Sequence, residues 1–235
     1  MRVDGSGHAK GETRRPLVLH FSEVLTASTR PAPRVSPELP AAGGEFARTQ
    51  LTFLLQLAYS GELAATRAYL GHRRSLRDPS ERAELGKIIR DEVRHRHCLL
   101  DQLAELGSRP VAFRERKMER VGRAISAFCQ VGGWFFPMYG AGRLEAQNIR
   151  EYEVAARLAL AAGMHHFVHP LLDMAEVEWD HERYFRSKAS RHPFWRLVPK
   201  WPAPPGRECL RASFEAYARV NERPLHVVRA PWLVR

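Results

Sequence analysis

Apolar residues recur at helical spacing through the middle of the chain, and runs of β-branched residues are scarce, which predicts an all-α fold. The first long helix is expected from Glu45 to about Ser75, with Leu51, Leu55, Ala58, Ala65 and Tyr69 on one stripe. Asp78, Pro79, Ser80 and Glu81 then make a start signal: Asp78 caps, Pro79 takes the first helical position and Glu81 reaches back to the cap. The second helix turns Leu85, Ile88, Leu99, Leu103 and Leu106 inward and stops at Gly107. A helical segment from about Arg114 runs into Gly132, Gly133 and Pro137, which are expected to break or kink it. A third long helix resumes and ends at Gly163, a fourth runs from near Pro170 to about Ser187, and a shorter amphipathic helix is expected over about 209–220.

The flanks differ from this core. Residues 1–43 are rich in Pro, Gly, Ser and Arg with no sustained period, and read as a disordered N-terminal segment with one short ordered piece near 17–25. Residues 44–190 read as the bundle, and 191–235 as a basic extension holding Trp195, Trp201, Pro202, Pro204 and Pro205. The net charge of +11 is concentrated there, since residues 186–235 contain eleven basic and three acidic residues, or +8. Such a tail suits anionic lipid or nucleic acid, beside the plainer reading of a solvated arginine-rich surface. Cys98, Cys129 and Cys209 are too widely spaced for a disulfide framework or a zinc knuckle, so a reducing, cytoplasmic setting is expected. The N-terminal residues show no apolar run of secretory length, and the most apolar stretch, 134–139, is far short of a membrane span and contains Pro137. Membrane contact would therefore be peripheral, at the inner surface.

The chemistry is carried by polar side chains standing where the core should be. On the second helix the inward stripe 85, 88, 92, 95, 99 has Glu92 and His95 at its centre. On the fourth, the stripe 171, 174, 178, 181, 185 has Glu178 and His181 there. The first helix sets Glu62 between Ala58 and Tyr69, and the third sets Glu145 between Ala141, Ile149 and Tyr152. Four buried carboxylates without partners would each cost several kcal/mol, and cations remove that problem. Glu and His at i, i+3 project from one helix face, so both can bind one ion, and the lone glutamates Glu62 and Glu145 are expected to bridge a pair of ions. A Glu from each of two helices with Glu-x-x-His from two others is the arrangement of di-iron carboxylate bundles. Imidazole with carboxylate suits iron, with manganese as the other choice. A single Glu-x-x-His is weak, since roughly one is expected by chance at ordinary composition. Two of them, each thirty or thirty-three residues after an inward glutamate, carry more weight.

The order Glu, Glu-x-x-His, Glu, Glu-x-x-His resembles the ferritin-like superfamily. Within it, the spacing is most similar to the demethoxyubiquinone hydroxylase family. The likeness is carried by Tyr59-Ser60-Gly61-Glu62, Asp91-Glu92-Val93-Arg94-His95, Glu145 with Tyr152, and Glu178-Trp179-Asp180-His181-Glu182, and covers about residues 46–186. That family inserts an oxygen atom into a hydrophobic quinone ring at a membrane surface. The resemblance implies a ferritin-like four-helix bundle with two iron ions on Glu62, Glu92, His95, Glu145, Glu178 and His181, acting as a monooxygenase. Dioxygen, an apolar small molecule and an electron donor are the partners it implies, with membrane contact through the basic tail ahead of RNA. The chain departs from the pattern at Glu151, where the family has a His, and in the extension after residue 190.

Neighbouring residues have two readings each. Tyr152 is the candidate catalytic side chain, bonding a ligand or relaying an electron, or else a core tyrosine. Glu182 is a spare ligand or, in preference, either a solvated residue or one that supports the ligands from behind. Asp91 and Asp180 orient ligand histidines or make surface ion pairs. His97 is expected to face outward, and His165, His166 and His169 to lie in a loop at a helix start. Residues 132–142 line a greasy entrance or pack as a kinked helix. The rival functions on the same scaffold are a ferroxidase or peroxide-reducing protein, and a transfer-RNA hydroxylase or a metal-stabilised binding module without catalysis.

Overall fold

The computed structural model describes residues 43–221, so the disorder expected before residue 43 and the last fourteen residues lie outside the described residues. Among these the regular structure is helical: α1 (Gly43–Ser75), α2 (Pro79–Glu105), α3 (Ala112–Val131), α4 (Phe135–Ala161), α5 (His165–Ala189), a 3₁₀ turn (Pro193–Arg196) and α6 (Arg207–Asn221). Helices α1, α2, α4 and α5 are the four long elements expected from the pattern, and together they form the ferritin-like bundle.

Local chemistry accounts for the helix ends. Asp78 caps α2 by accepting the Ser80 N–H at 2.8 Å, with Pro79 in the first turn, where a missing N–H is harmless. The reach-back from Glu81 does not form; its carboxylate binds Lys188 of α5 at 2.7 Å instead. The α2 C-terminus closes with Ser108 N–H bonding Leu103 O and Gly107 N–H bonding Ala104 O, with Gly107 at φ 69°. Pro137 does not kink α4, because it lies in the first turn; the break is made by residues 132–134 before it. Helix α5 begins five residues earlier than expected, at His165, and contains Pro170 within its opening turns. The histidines His165, His166 and His169 are thus exposed helical residues rather than loop residues.

The directions of the helices follow from which residues meet. Tyr69 of α1 meets Glu145 of α4, and Tyr152 of α4 meets Glu62 of α1, so these two helices run antiparallel. His181 of α5 meets Asp91 and Glu92 of α2, while His95 of α2 meets Glu178 of α5, which makes that pair antiparallel as well. Helices α2 and α4 then run the same way, and the chain needs a return between them. Helix α3 supplies it, as in ferritin-like bundles with one long crossover. It packs along α1 so closely that a Cβ on Gly122 would lie 2.7 Å from Ala64 O. That contact admits only glycine.

The core has two apolar layers. One gathers Leu51, Leu55, Leu99, Leu103, Ile149 and Tyr152; the other gathers Tyr69, Leu85, Ile88, Met138, Phe185 and Trp201. At roughly 1.5–3 kcal/mol for each large side chain fully buried, these layers supply the driving force for the bundle. The inward glutamates and histidines lie along the same helical stripes, between the residues of one layer and those of the other.

Candidate metal centre

The six sequence-predicted ligands converge. Glu92, Glu145 and Glu178 are 0 % exposed and Glu62, His95 and His181 nearly so. They form two groups, Glu62, Glu92, His95 and Glu178 in one, Glu92, Glu145, Glu178 and His181 in the other, with all donor atoms of a group within 4.8 Å of one another. Glu92 and Glu178 belong to both groups. Each turns one oxygen to each side: Glu92 sets Oε2 4.0 Å from His95 Nδ1 and Oε1 3.3 Å from His181 Nδ1. Glu178 sets Oε1 3.1 Å from His95 Nδ1 and Oε2 3.3 Å from His181 Nδ1. The two imidazole rings are 6.4 Å apart.

This geometry reverses one expectation. The lone glutamates Glu62 and Glu145 do not lie between the two groups; each serves a single group, and the shared carboxylates come from the two Glu-x-x-His motifs. The shared position follows from the contacts across the centre: Glu92 of α2 reaches His181 of α5, and Glu178 of α5 reaches His95 of α2.

Without a cation the arrangement is electrostatically unfavourable. Burial lifts the pKa of all four glutamates above the ordinary carboxylate range, and the charge of neighbouring glutamates adds to it at each, with Glu92 raised to about 7. Burial lowers His95. At His181 burial acts in the same direction, but contacts with Asp91, Glu178 and Glu92 outweigh it and raise the imidazole well above its usual value. Several donor atoms are buried without a well-aimed hydrogen bond among the described residues, both oxygens of Glu92, Glu62 Oε2, Glu178 Oε1 and His95 Nδ1, although Glu178 Oε1 lies 3.1 Å from His95 Nδ1 and Glu92 Oε1 3.3 Å from His181 Nδ1. Each such orphan costs about 1–3 kcal/mol or more. Cations lying within the two donor groups would satisfy them together. A set of four carboxylates and two imidazoles fits iron or manganese.

The surrounding residues resolve the other readings. Tyr152 is 2 % exposed and donates its hydroxyl to Glu62 Oε1, so it bonds a candidate ligand rather than only filling the core. Tyr69, which the pattern marks only as an apolar stripe position, donates in the same manner to Glu145 Oε1. Asn148 donates to Glu145 Oε2 at 2.9 Å. Asp91 lies 3.4 Å from His181 Nε2, the ring nitrogen facing away from the carboxylates, a position that orients a ligand histidine. Asp180 does not approach a histidine and pairs with Arg207 at 3.6 Å on the surface. His97 is exposed as expected. Glu182 is neither a member of a donor group nor solvated: it is 0 % exposed and accepts Arg186 Nε at 2.6 Å and Trp201 Nε1 at 2.8 Å.

That last contact ties the extension to the bundle. Trp201 rests on Gly142, where a Cβ would lie 2.9 Å from the indole, and Tyr139 donates to Pro199 O at 2.6 Å. Met138, Phe135 and Tyr139 are buried, whereas Trp134 and Phe136 remain 41 % and 43 % exposed, so the 132–142 stretch is divided between core and surface. A groove of about 170 Å³ between α2 and α5, lined by Lys87, Asp91, Asp180 and Tyr184, reaches the outer edge of His181. No helix among the described residues is long and apolar enough to cross a membrane.

No family model matches the chain, and no solved structure does. Curated relatives do. The chain is 36 % identical over 100 residues to the 3-demethoxyubiquinol 3-hydroxylase of Bordetella pertussis, covering 43 % of this chain and 44 % of that one. It is 31 % identical over 85 residues to the protein of the same name in Cupriavidus necator, covering 36 % and 41 %. In Cupriavidus metallidurans the figure is 32 % over 80 residues, covering 34 % and 38 %. The matched part is thus less than half the length of each of these relatives. An all-α bundle with a ferritin-like course of helices, and similarity over part of its length to 3-demethoxyubiquinol 3-hydroxylases, is what the geometry and the comparisons establish together.

Proposed function

We propose that this chain is a di-iron carboxylate oxidoreductase, a monooxygenase that hydroxylates an apolar, quinone-like substrate with dioxygen. The observation that carries the reading is the pair of donor groups sharing Glu92 and Glu178, each with one oxygen toward either side. The partial similarity to proteins named 3-demethoxyubiquinol 3-hydroxylase supports the substrate class. In this reading Glu62 and His95 would help to hold one ion and Glu145 and His181 the other, with Glu92 and Glu178 belonging to both donor groups. Iron held by these residues would supply the redox and Lewis-acid chemistry that dioxygen reduction needs.

The protein's own part is structural and electrostatic. The six side chains hold the site before any substrate arrives, and the apolar layers, rich in Leu, Ile, Phe and Met, limit water at the centre. Asp91 holds the outer nitrogen of His181, and the Tyr152 hydroxyl holds Glu62. One oxygen atom enters the substrate and the other leaves as water, which consumes two protons and two electrons from a donor. An exposed apolar face formed by Trp134, Phe136, Phe194 and Leu197, beside Arg191 and Arg196, supports delivery of such a substrate from an anionic membrane surface.

The test uses the full chain loaded with ferrous iron, a chemical reductant and a short-chain quinol lacking one ring oxygen. Expected are about two iron ions per chain, reductant-dependent oxygen uptake and a product heavier by one oxygen atom drawn from labelled dioxygen. Iron-loaded protein that takes up no oxygen and leaves the quinol unchanged would refute the reading.

A further inference from the structure

The first and third inward glutamates share a feature that their neighbours on the stripe conceal. Each has a tyrosine seven residues later on the same helix, Tyr69 after Glu62 and Tyr152 after Glu145. Seven residues are about two helical turns, or roughly 10.5 Å along the axis. Because α1 and α4 run antiparallel, this spacing sets each tyrosine opposite the other helix's glutamate. The Tyr69 hydroxyl bonds Glu145 Oε1, and the Tyr152 hydroxyl bonds Glu62 Oε1.

We infer that Tyr69 and Tyr152 are reciprocal positioning residues, each fixing the terminal glutamate of one metal position from the opposite helix. The inference rests on the di-metal reading above and adds Tyr69, which the sequence marks only as a core position of the α1 stripe. Three observations support a positioning role over simple packing. Both tyrosines are almost wholly buried, at 3 % and 2 % exposure, in different apolar layers, where Phe would fill the same volume without a polar atom to satisfy. Their rings are held in place, Tyr69 against Phe185 at 5.3 Å and Tyr152 edge-on to His95 at 5.9 Å. And the acceptor in each case is the glutamate that belongs to one donor group only; among the described residues no tyrosine hydroxyl bonds the shared Glu92 or Glu178.

The logic is that of a cross-brace. A carboxylate that belongs to both donor groups is confined from two sides, whereas Glu62 and Glu145 each belong to one group and rely on neighbours to fix the carboxyl, Tyr152 at Glu62 and Tyr69 together with Asn148 at Glu145. A hydroxyl on Oε1 restricts rotation and would leave lone pairs for an ion, since each carboxylate oxygen can accept twice. At Glu62 the other oxygen, Oε2, has no hydrogen-bond partner and is available to a cation.

The test is a Co(II) titration of the metal-free full chain, followed by calorimetry and visible absorption. Wild type is expected to take two equivalents. Tyr69→Phe is expected to weaken one equivalent by about 10- to 100-fold and to alter its absorption bands, Tyr152→Phe to weaken the other, and the double variant to weaken both. Wild type that does not take two equivalents defeats the di-metal reading itself. Wild type that takes two, with Tyr69→Phe identical in affinity and spectrum, overturns the brace alone. Should Tyr69→Phe not fold, Tyr152→Phe alone tests the brace: one weakened equivalent with altered bands is expected, and a titration and spectrum identical to wild type overturn the inference.

Discussion

The half of the bundle made by α1 and α2 and the half made by α4 and α5 contain the same donors in the same order, yet their surroundings differ. Glu62, Tyr69, Glu92 and His95 correspond in register to Glu145, Tyr152, Glu178 and His181. One step away the match fails. Three residues after Glu62 stands Ala65, whereas three after Glu145 stands Asn148, which grips a second oxygen of its glutamate. Before Glu92 stands Asp91, which supports His181, whereas before Glu178 stands Val177. Four residues after the shared glutamates are Arg96 and Glu182, of opposite charge. Arg96 bonds Tyr59 O at 2.6 Å and Glu115, fastening α3, while Glu182 bonds Trp201 and fastens the C-terminal arm. On the proposed di-metal reading the donors are duplicated because two ions of one kind would ask for similar ligands. The fastenings are not, because each half must bind a different accessory segment.

The largest expected effect tests whether the shared and terminal carboxylates differ in kind. Glu92→Ala or Glu178→Ala is expected to abolish both metal equivalents, while Glu62→Ala or Glu145→Ala leaves one, as read by metal analysis after dialysis. Loss of both in all four variants would erase the distinction.

Next come the fastenings. Trp201→Ala removes a buried indole from the Gly142 notch and leaves Glu182 with one donor fewer, and is expected to destabilise by about 3–5 kcal/mol. Arg96→Ala strands the Glu115 carboxylate and is expected to cost about 1–3 kcal/mol. Thermal unfolding of the two variants side by side ranks the arm against α3.

The smallest effect concerns a residue with no counterpart. His72 lies ten residues after Glu62, where the other half has Ala155. It is 1 % exposed, neither ring nitrogen has a hydrogen-bond partner, and burial lowers its pKa to about 4. The depressed value means that the unfolded chain takes up the proton first, so the contribution of His72 to stability is present above pH 6.5 and lost as pH falls toward 4. Between pH 7 and pH 5 the loss amounts to about 2 kcal/mol. His72→Leu is expected to flatten that part of the stability profile; an unchanged slope in denaturant titrations would mean the imidazole is not buried neutral.

Much of the fold was legible because burial imposes a period. The stripes through 85–99 and 171–185 located α2 and α5, and polar residues at their centres could be recognised as misplaced. Helix α3 was harder to weigh, since five basic side chains obscure its inner face and its value comes from the close pass at Gly122. Glu182 was hard to place for a similar reason: a charged side chain one turn past a candidate ligand fits a solvated and a supporting role alike until an indole from nineteen residues onward covers it. Tyr69 was hidden because aromatic residues on an inward stripe fit a core without further explanation.

What the amino-acid order determined alone was which side chains face inward, for that depends only on the 3.6-residue turn and the preference of apolar groups for one side. It determined that four carboxylates and two imidazoles would be buried, and so that something must offset them. Which carboxylates stand between the two positions was decided by tertiary structure, because it depends on which helices face each other across the centre. The pairing of each tyrosine with the opposite glutamate was likewise left to the antiparallel course of α1 and α4, a relation between distant segments that no local spacing contains.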